Sequence, residues 1–400
     1  MSLKELMVVD NGLWCVCSTN HPTDIQDEAK KIAELFGLRY LPGTEPCPPS
    51  NVMMIVADKV EGVPDSNESY KIRIDNARSM IIITAPSSAG IYYAGRTLLS
   101  LAERNGSMQL SFPTGTIKDS PRYGYRGLHI DVARNFVPAD DVIKIIEAIA
   151  LYKMNKLHFH LTDDEGWRIE IDGLPELTQI GAQRCHTETE EDCLFPALGS
   201  GPNKSTSGTG FYSAEEYKRI LRAAVHHHVE VIPEIDTPGH SHAAIQAMEA
   251  RYRKYRYDDK ASAEEFRLAD PNDISTAMSV QHFRNNALNP CMASSYRFVE
   301  KVITEIKKLH SDIQPLQTIH MGGDEVAKKS WEGSPICNNF IATSADFPHS
   351  TVDLQEYYIR KVSDICKQHH LKLAVWEDGA MRSPEMVPYQ KSSLSSEVMT

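Results

Sequence analysis

From Arg126 onward the chain repeats one pattern, an apolar strand-like run followed by a longer amphipathic stretch, and this repeat constrains the fold more than any other feature. A strand that pairs with its predecessor after a helical connection must run parallel to it, through a right-handed crossover. Five runs read as strands: 127–131, 156–161, 229–234, 318–322 and 371–376. Between them, Pro138 can start a helix with Val142, Ile145, Ile146 and Ile149 on one face, and Ser213 with Glu216 has capping-box spacing ahead of Tyr217, Ile220 and Leu221. Phe298, Val299, Val302, Ile303 and Ile306 form one further apolar stripe; Leu354, Tyr358, Val362 and Ile365 form another. The expected fold class is α/β, a TIM (β/α)8-type barrel over residues 122–400. Only 24 residues follow Trp376, fewer than the roughly 30 that one more βα unit needs. The barrel is therefore expected to be truncated after strand 5, with its C-terminal strands missing. Residues 1–121 read as a separate small, non-catalytic α+β domain, with strands near 70–74 and 80–83 and a helix over 90–102. Turn chemistry at Pro113, Thr114 and Gly115, then at Asp119, Ser120 and Pro121, closes it.

Charge narrows the choice of partners. Asp and Glu number 54 against 42 Lys and Arg, a net charge of −12, which repels a phosphate backbone and an anionic membrane surface alike. Nucleic acid is not an expected partner. The longest apolar stretches fall short of the 18 or more residues of a bilayer span, so no membrane span is expected. Glu5, Asp10 and Asn11 interrupt the start of the chain, and no secretory signal is visible there. Of the eight cysteines none has zinc-ribbon spacing. Cys185 and Cys193 bracket a polar stretch that a disulfide can close, with buried reduced thiols as the alternative.

In parallel barrels the chemistry gathers where strands end, because the following loops converge on one concavity. Every expected strand end here carries acid: Asp131, then Asp163 with Asp164, Asp236 with His240, Asp324 with Glu325, and Trp376 followed by Glu377 and Asp378. A single such Asp is most often a turn or cap residue, so the conjunction carries the weight. In His320-Met321-Gly322-Gly323-Asp324-Glu325 two glycines that permit close backbone approach precede two adjacent carboxyls. Adjacent strand residues face opposite ways, which would give the two acids different tasks. Like charge and burial raise one carboxyl pKa, the condition for a general acid near neutrality and the basis of two-carboxylate glycoside hydrolysis.

These segments resemble glycoside hydrolase family 20, the β-N-acetylhexosaminidases, and within it the chitobiase-like branch. The likeness covers most of the chain. It rests on Arg126 to Asp131 with Ala133-Arg134, on Asn155 to Asp164 followed by Gly166-Trp167-Arg168, on Ile232 to His240, and on the H-x-G-G-D-E run. The resemblance implies a retaining exo-glycosidase in which the substrate's 2-acetamido oxygen replaces a protein nucleophile. It implies Glu325 as general acid/base and Asp324 as partner of the acetamido N–H. Asp163 and His240 would be a buried pair tuning the acid, Arg126 the grip on sugar hydroxyls, and Trp376 a wall of the acetamido pocket. Partners would be N-acetylhexosamine-terminated oligosaccharides or glycoconjugates, with no cofactor and no metal. The family suggests a lysosomal, secreted or periplasmic location; the oligomeric state is not readable.

Three readings stay open beside this one. A truncated barrel can be an inactive sugar-binding remnant of the same family. Trp376 can be barrel core. His158 and His160, two apart on one strand face, can be satisfied interior histidines, or can join His240 and Asp324 as ligands of a metal-dependent hydrolase.

Overall fold

The computed structural model describes residues 6–10, 12–18, 23–42, 45–104, 109–345, 348–382, 387–389 and 398–399. They form two compact units, Met1–Arg126 with Ala148–Asn155 and Gly127–Glu147 with Lys156–Thr400. In the first, a six-stranded sheet runs in the order Arg39–Leu41, Cys15–Ser18, Val52–Ala57, Met80–Ala85, Tyr70–Asp75 and Gly115–Asp119. Its first four strands are parallel and its last two antiparallel. Helix Thr23–Phe36 buries Ile25, Ile32 and Phe36, and helix Ser88–Leu101 buries Ile91, Tyr92 and Leu98, so each shows the one-sided apolar stripe of a sheet-covering helix.

The second unit is built on parallel strands Gly127–Asp131, Lys156–Asp163, Glu230–Ile235, Thr318–His320, Lys372–Ala374 and Val398–Met399. Each pairs with the next in chain order. Strand order that follows chain order without reversal is the barrel's sequence of strands, whereas a doubly wound sheet reverses direction at a switch point. The helices arise where the stripes place them: Ala139–Leu151, Ala214–His226, Ala293–His310 and Leu354–Gln368. Ser213 and Glu216 form the reciprocal capping box. Helix His242–Tyr255 is an addition that the apolar pattern does not signal, because its buried face is made mostly of Ala and His.

Two expectations change. The count of five strands is too low, since Val398–Met399 adds a sixth beside Lys372–Ala374; the rest of the 390–400 tail lies outside the described residues. Two residues carry no readable period. The fourth and fifth strands also end early, at His320 and Ala374, leaving Asp324, Glu325 and Trp376 on loops. No helix among the described residues is long and apolar enough to cross a membrane. Disulfides join Cys185 to Cys193, as one of the two sequence readings held, and also Cys17 to Cys47 and Cys291 to Cys337.

Candidate active site

The register of the parallel strands sets the site's floor. Asp131, His160, Glu234, His320 and Ala374 are consecutive partners across five strands, so the polar members of the row point to one interior. Glu234 is fully buried, and its carboxylate is shared. Oε1 accepts the Trp376 indole N–H at 2.8 Å and lies 3.1 Å from His320 Nδ1. Oε2 lies 2.7 Å from His158 Nε2 and 2.8 Å from His160 Nδ1. Burial alone would raise this carboxyl, but the imidazoles around it hold it well below the usual carboxylate range.

The strand-end loops stand above that row. His160 Nε2 is 2.8 Å from Asp163 Oδ2, and His240 Nδ1 is 3.0 Å from Asp163 Oδ1. Arg134 Nη2 reaches the same Asp163 oxygen as His160, also at 2.8 Å. Burial would raise Asp163; these partners overcome it and lower it. His240 shows the converse. Burial opposes its charge, yet the Asp163 hydrogen bond and the neighbouring carboxylates push it up to about 9. The other nitrogen of its ring, Nε2, is 3.7 Å from Asp324 Oδ2 and 3.6 Å from Glu325 Oε2. That nitrogen is buried and stands close to both carboxyls without a hydrogen bond to either.

How two adjacent acids meet one imidazole differs from the expectation of opposite strand faces. Both lie beyond the strand, and Glu325 has a left-handed backbone with φ of 47°. Gly322 makes the preceding turn possible: its φ is 64°, and a Cβ there would lie 1.7 Å from Asp236 Oδ1. Glu325 is exposed, its backbone N–H donates to Asp378 Oδ2 at 3.0 Å, and Gln281 Nε2 donates to its carboxylate at 3.1 Å. The Asp324 carboxyl is raised, by burial first and with His240 opposing. Asp236 beneath it is fully buried and raised well above the ordinary carboxyl range, by burial and then by Asp324. Asp164 is raised to about 6 by burial and the charge of Asp163; it accepts from the His242 backbone and from Asn286.

Five of the six expected site residues come together: Asp163, His240, Asp324, Glu325 and Trp376. Arg126 does not. It precedes the first residue of strand Gly127–Asp131, at the end opposite the acidic loops. It belongs to the other unit, where its guanidinium pairs with Glu68 and donates to the carbonyls of Tyr123 and Lys153. The guanidinium at the strand ends is that of Arg134, held by Asp131 at 2.8 Å, Asp163 at 2.8 Å and Glu165 at 3.2 Å, and partly open to solvent. Strand direction is the signal that separates the two arginines, since only a residue after Asp131 can stand on the C-terminal face. Glu234 and Gln281 join the site without having been singled out in the sequence, whereas Asp378 stands there as one of the strand-end acids and His160 as one of the interior histidines.

The four donors of the metal-ligand reading, His158, His160, His240 and Asp324, do not form one group of ligand spacing. His158 and His160 turn to Glu234, while His240 turns to Asp163 and away from them. Triplets of donor atoms within 4.8 Å do occur here, among them Asp236, His240 and Asp324. Around Glu234, His158 Nε2 and His160 Nδ1 stand 2.7 and 2.8 Å from Oε2 without meeting hydrogen-bond geometry.

Comparison with known proteins points to one family. The family described as glycosyl hydrolase family 20, catalytic domain, matches residues 123–395, and its domain 2 matches residues 9–120. A beta-hexosaminidase of Vibrio vulnificus is 43% identical over 318 residues, 78% of this chain and 37% of its own length. An N,N'-diacetylchitobiase of Vibrio harveyi is 42% identical over 333 residues, 75% of this chain and 37% of its own length. The crystal structure of a GH20 exo beta-N-acetylglucosaminidase from Vibrio harveyi in complex with N-acetylglucosamine superposes with a TM-score of 0.76 at 28% identity, covering 96% of this chain and 54% of that one. The chain therefore spans well under half the length of these curated relatives, and about half of that solved chain.

Proposed function

This chain belongs to glycosyl hydrolase family 20, and from that premise we propose that its strand-end site removes terminal β-linked N-acetylglucosamine or N-acetylgalactosamine from chitooligosaccharides or glycoconjugates by substrate-assisted, retaining catalysis. The observation that carries the reading is the His240 Nε2 position, within 3.7 Å of both Asp324 and Glu325, with Asp163 behind the ring.

Glu325, the exposed acid, protonates the glycosidic oxygen as the C1–O bond breaks. The acetamido carbonyl oxygen bonds to C1 and gives a cationic oxazolinium; water, deprotonated by Glu325, then opens it with retained configuration. Asp324 accepts the acetamido N–H. That donor and the developing cation both favour its ionised form, against the burial that raises it in the free site. Trp376 offers an indole face to the acetamido methyl, and Arg134 takes the sugar-hydroxyl role in place of Arg126.

The alternative is a sugar-binding chain without turnover. Assay of the chain on an aryl β-N-acetylglucosaminide, with a thiazoline mimic of the cyclised intermediate as inhibitor, decides between them. The hydrolase reading expects turnover and a mimic bound far more tightly by wild type than by Asp324→Asn, because the carboxylate pairs with the protonated thiazoline. Equal affinity would remove Asp324 from its role. Sugar binding without turnover would leave the second reading.

A further inference from the structure

Glu234 lies at none of the positions assigned a role above, yet it is the carboxylate on which two halves of the site meet. Its Oε1 holds the indole of Trp376 and faces His320, and its Oε2 faces His158 and His160. His129 completes the surround, with Nε2 at 3.7 Å and its ring 5.5 Å from that of Trp376. From His160 the contacts continue without a break through Asp163 and His240 to Asp324 and Glu325. A fully buried carboxylate is costly unless its charge is answered; here the Trp376 indole N–H donates to Oε1, Oε2 has no hydrogen bond, and four imidazole rings crowd the group, His320 with its Nδ1 already accepting the Gly322 N–H.

We propose that Glu234 is a positioning residue for the reaction: a single buried carboxylate that fixes the Trp376 wall and, through His160, sets the protonation of the Asp163–His240 pair behind the acid. The proposal rests on the hydrolase reading for its functional meaning, but the coupling itself is a property of the fold. Two carboxylates, Asp163 and Glu234, contact His160, and the Asp236 carboxyl lies within 4.8 Å of it, with Arg134 Nη1 at 3.4 Å from its Nε2 and the His129 ring 5.7 Å away. Burial opposes the His160 charge, and the two carboxylates raise it to about 10. Removing the charge of one of them must move this titration.

The test is Glu234→Gln in the full chain, read first by ring-nitrogen NMR of labelled histidine, with His160→Gln giving the assignment. The His160 titration is expected to move to lower pH by about one unit or more, since one of its two charge partners is gone. The indole N–H resonance of Trp376, one of four tryptophans and assigned with Trp376→Phe, is expected to shift as well. If both stay unmoved, the proposal is overturned. Should Glu234→Gln fail to fold, Trp376→Phe serves alone. It keeps the carboxylate and removes one donor to it, so His160 must titrate at higher pH, and an unmoved titration overturns the coupling. With a turning-over wild type, the alkaline limb of kcat/KM must move down with His160; a profile merely scaled down, with its limb in place, would make Glu234 structural and sink the proposal. Absence of turnover by wild type defeats the hydrolase reading, while the NMR outcomes still decide Glu234.

Discussion

Glu325 is set apart from the other acids of the site by its exposure. Asp163, Asp164 and Asp236 are buried and Asp324 is half-buried, whereas Glu325 opens to solvent, as the proposed proton donor to a leaving group must. A general acid matters most when the departing oxygen is a poor leaving group, because that oxygen needs the proton before the bond can break. Glu325→Gln is therefore expected to lower turnover by roughly 10²- to 10⁴-fold for unactivated glycosides and much less for activated aryl glycosides. Parallel kinetics on the two substrate kinds check this, and an equal loss on both would take the acid role from Glu325.

At the scale of elements, the sequence showed what periodicity and turn chemistry encode. Strand 127–131 and the capping box at Ser213 and Glu216 could be read locally because each rests on residues within a few positions of one another. What escaped depends on distance or direction. Cys17 and Cys47 are 30 apart and Cys291 and Cys337 are 46 apart, spacings that select no pairing. Arg126 and Arg134 flank one strand, and the motif that holds both does not encode which end of that strand meets the loops. The loop after His320 combines both kinds of information, since its glycines were legible and the Asp236 carboxylate against Gly322 was not. Gly322→Ala must place a methyl where that carboxylate stands, on a backbone of positive φ. It is expected to cost on the order of 2–4 kcal/mol and to displace Asp324 and Glu325 from His240. Denaturant unfolding would measure the first effect; a cost below about 1 kcal/mol would show that the turn accommodates a side chain there.

Across the whole molecule, the interior charges of the second unit make stability depend on pH in a direction that can be derived. His240, raised to about 9, and His160, raised to about 10, both exceed the ordinary histidine value of 6.5. A group raised on folding contributes stability that is fully present below its unfolded pKa and lost as pH rises through its folded pKa. The alkaline loss should therefore fall between about pH 7 and 10, set by two histidines whose side chains are almost wholly inaccessible to solvent. Both contact Asp163, so their contributions are not additive and together amount to roughly a few kcal/mol. Asp163, lowered on folding, acts on the other side, contributing above the ordinary carboxyl pKa and fading as acid protonates it. Asp236, raised by burial, works against stability near neutrality. Melting temperature measured from pH 6 to 10.5 is expected to fall steadily above neutrality. In His240→Gln, neutral at every pH, the melt should start lower and decline less over the same interval. Wild-type and variant curves that run parallel from pH 6 to 10.5 would mean that the His240 charge has no part in holding the site together.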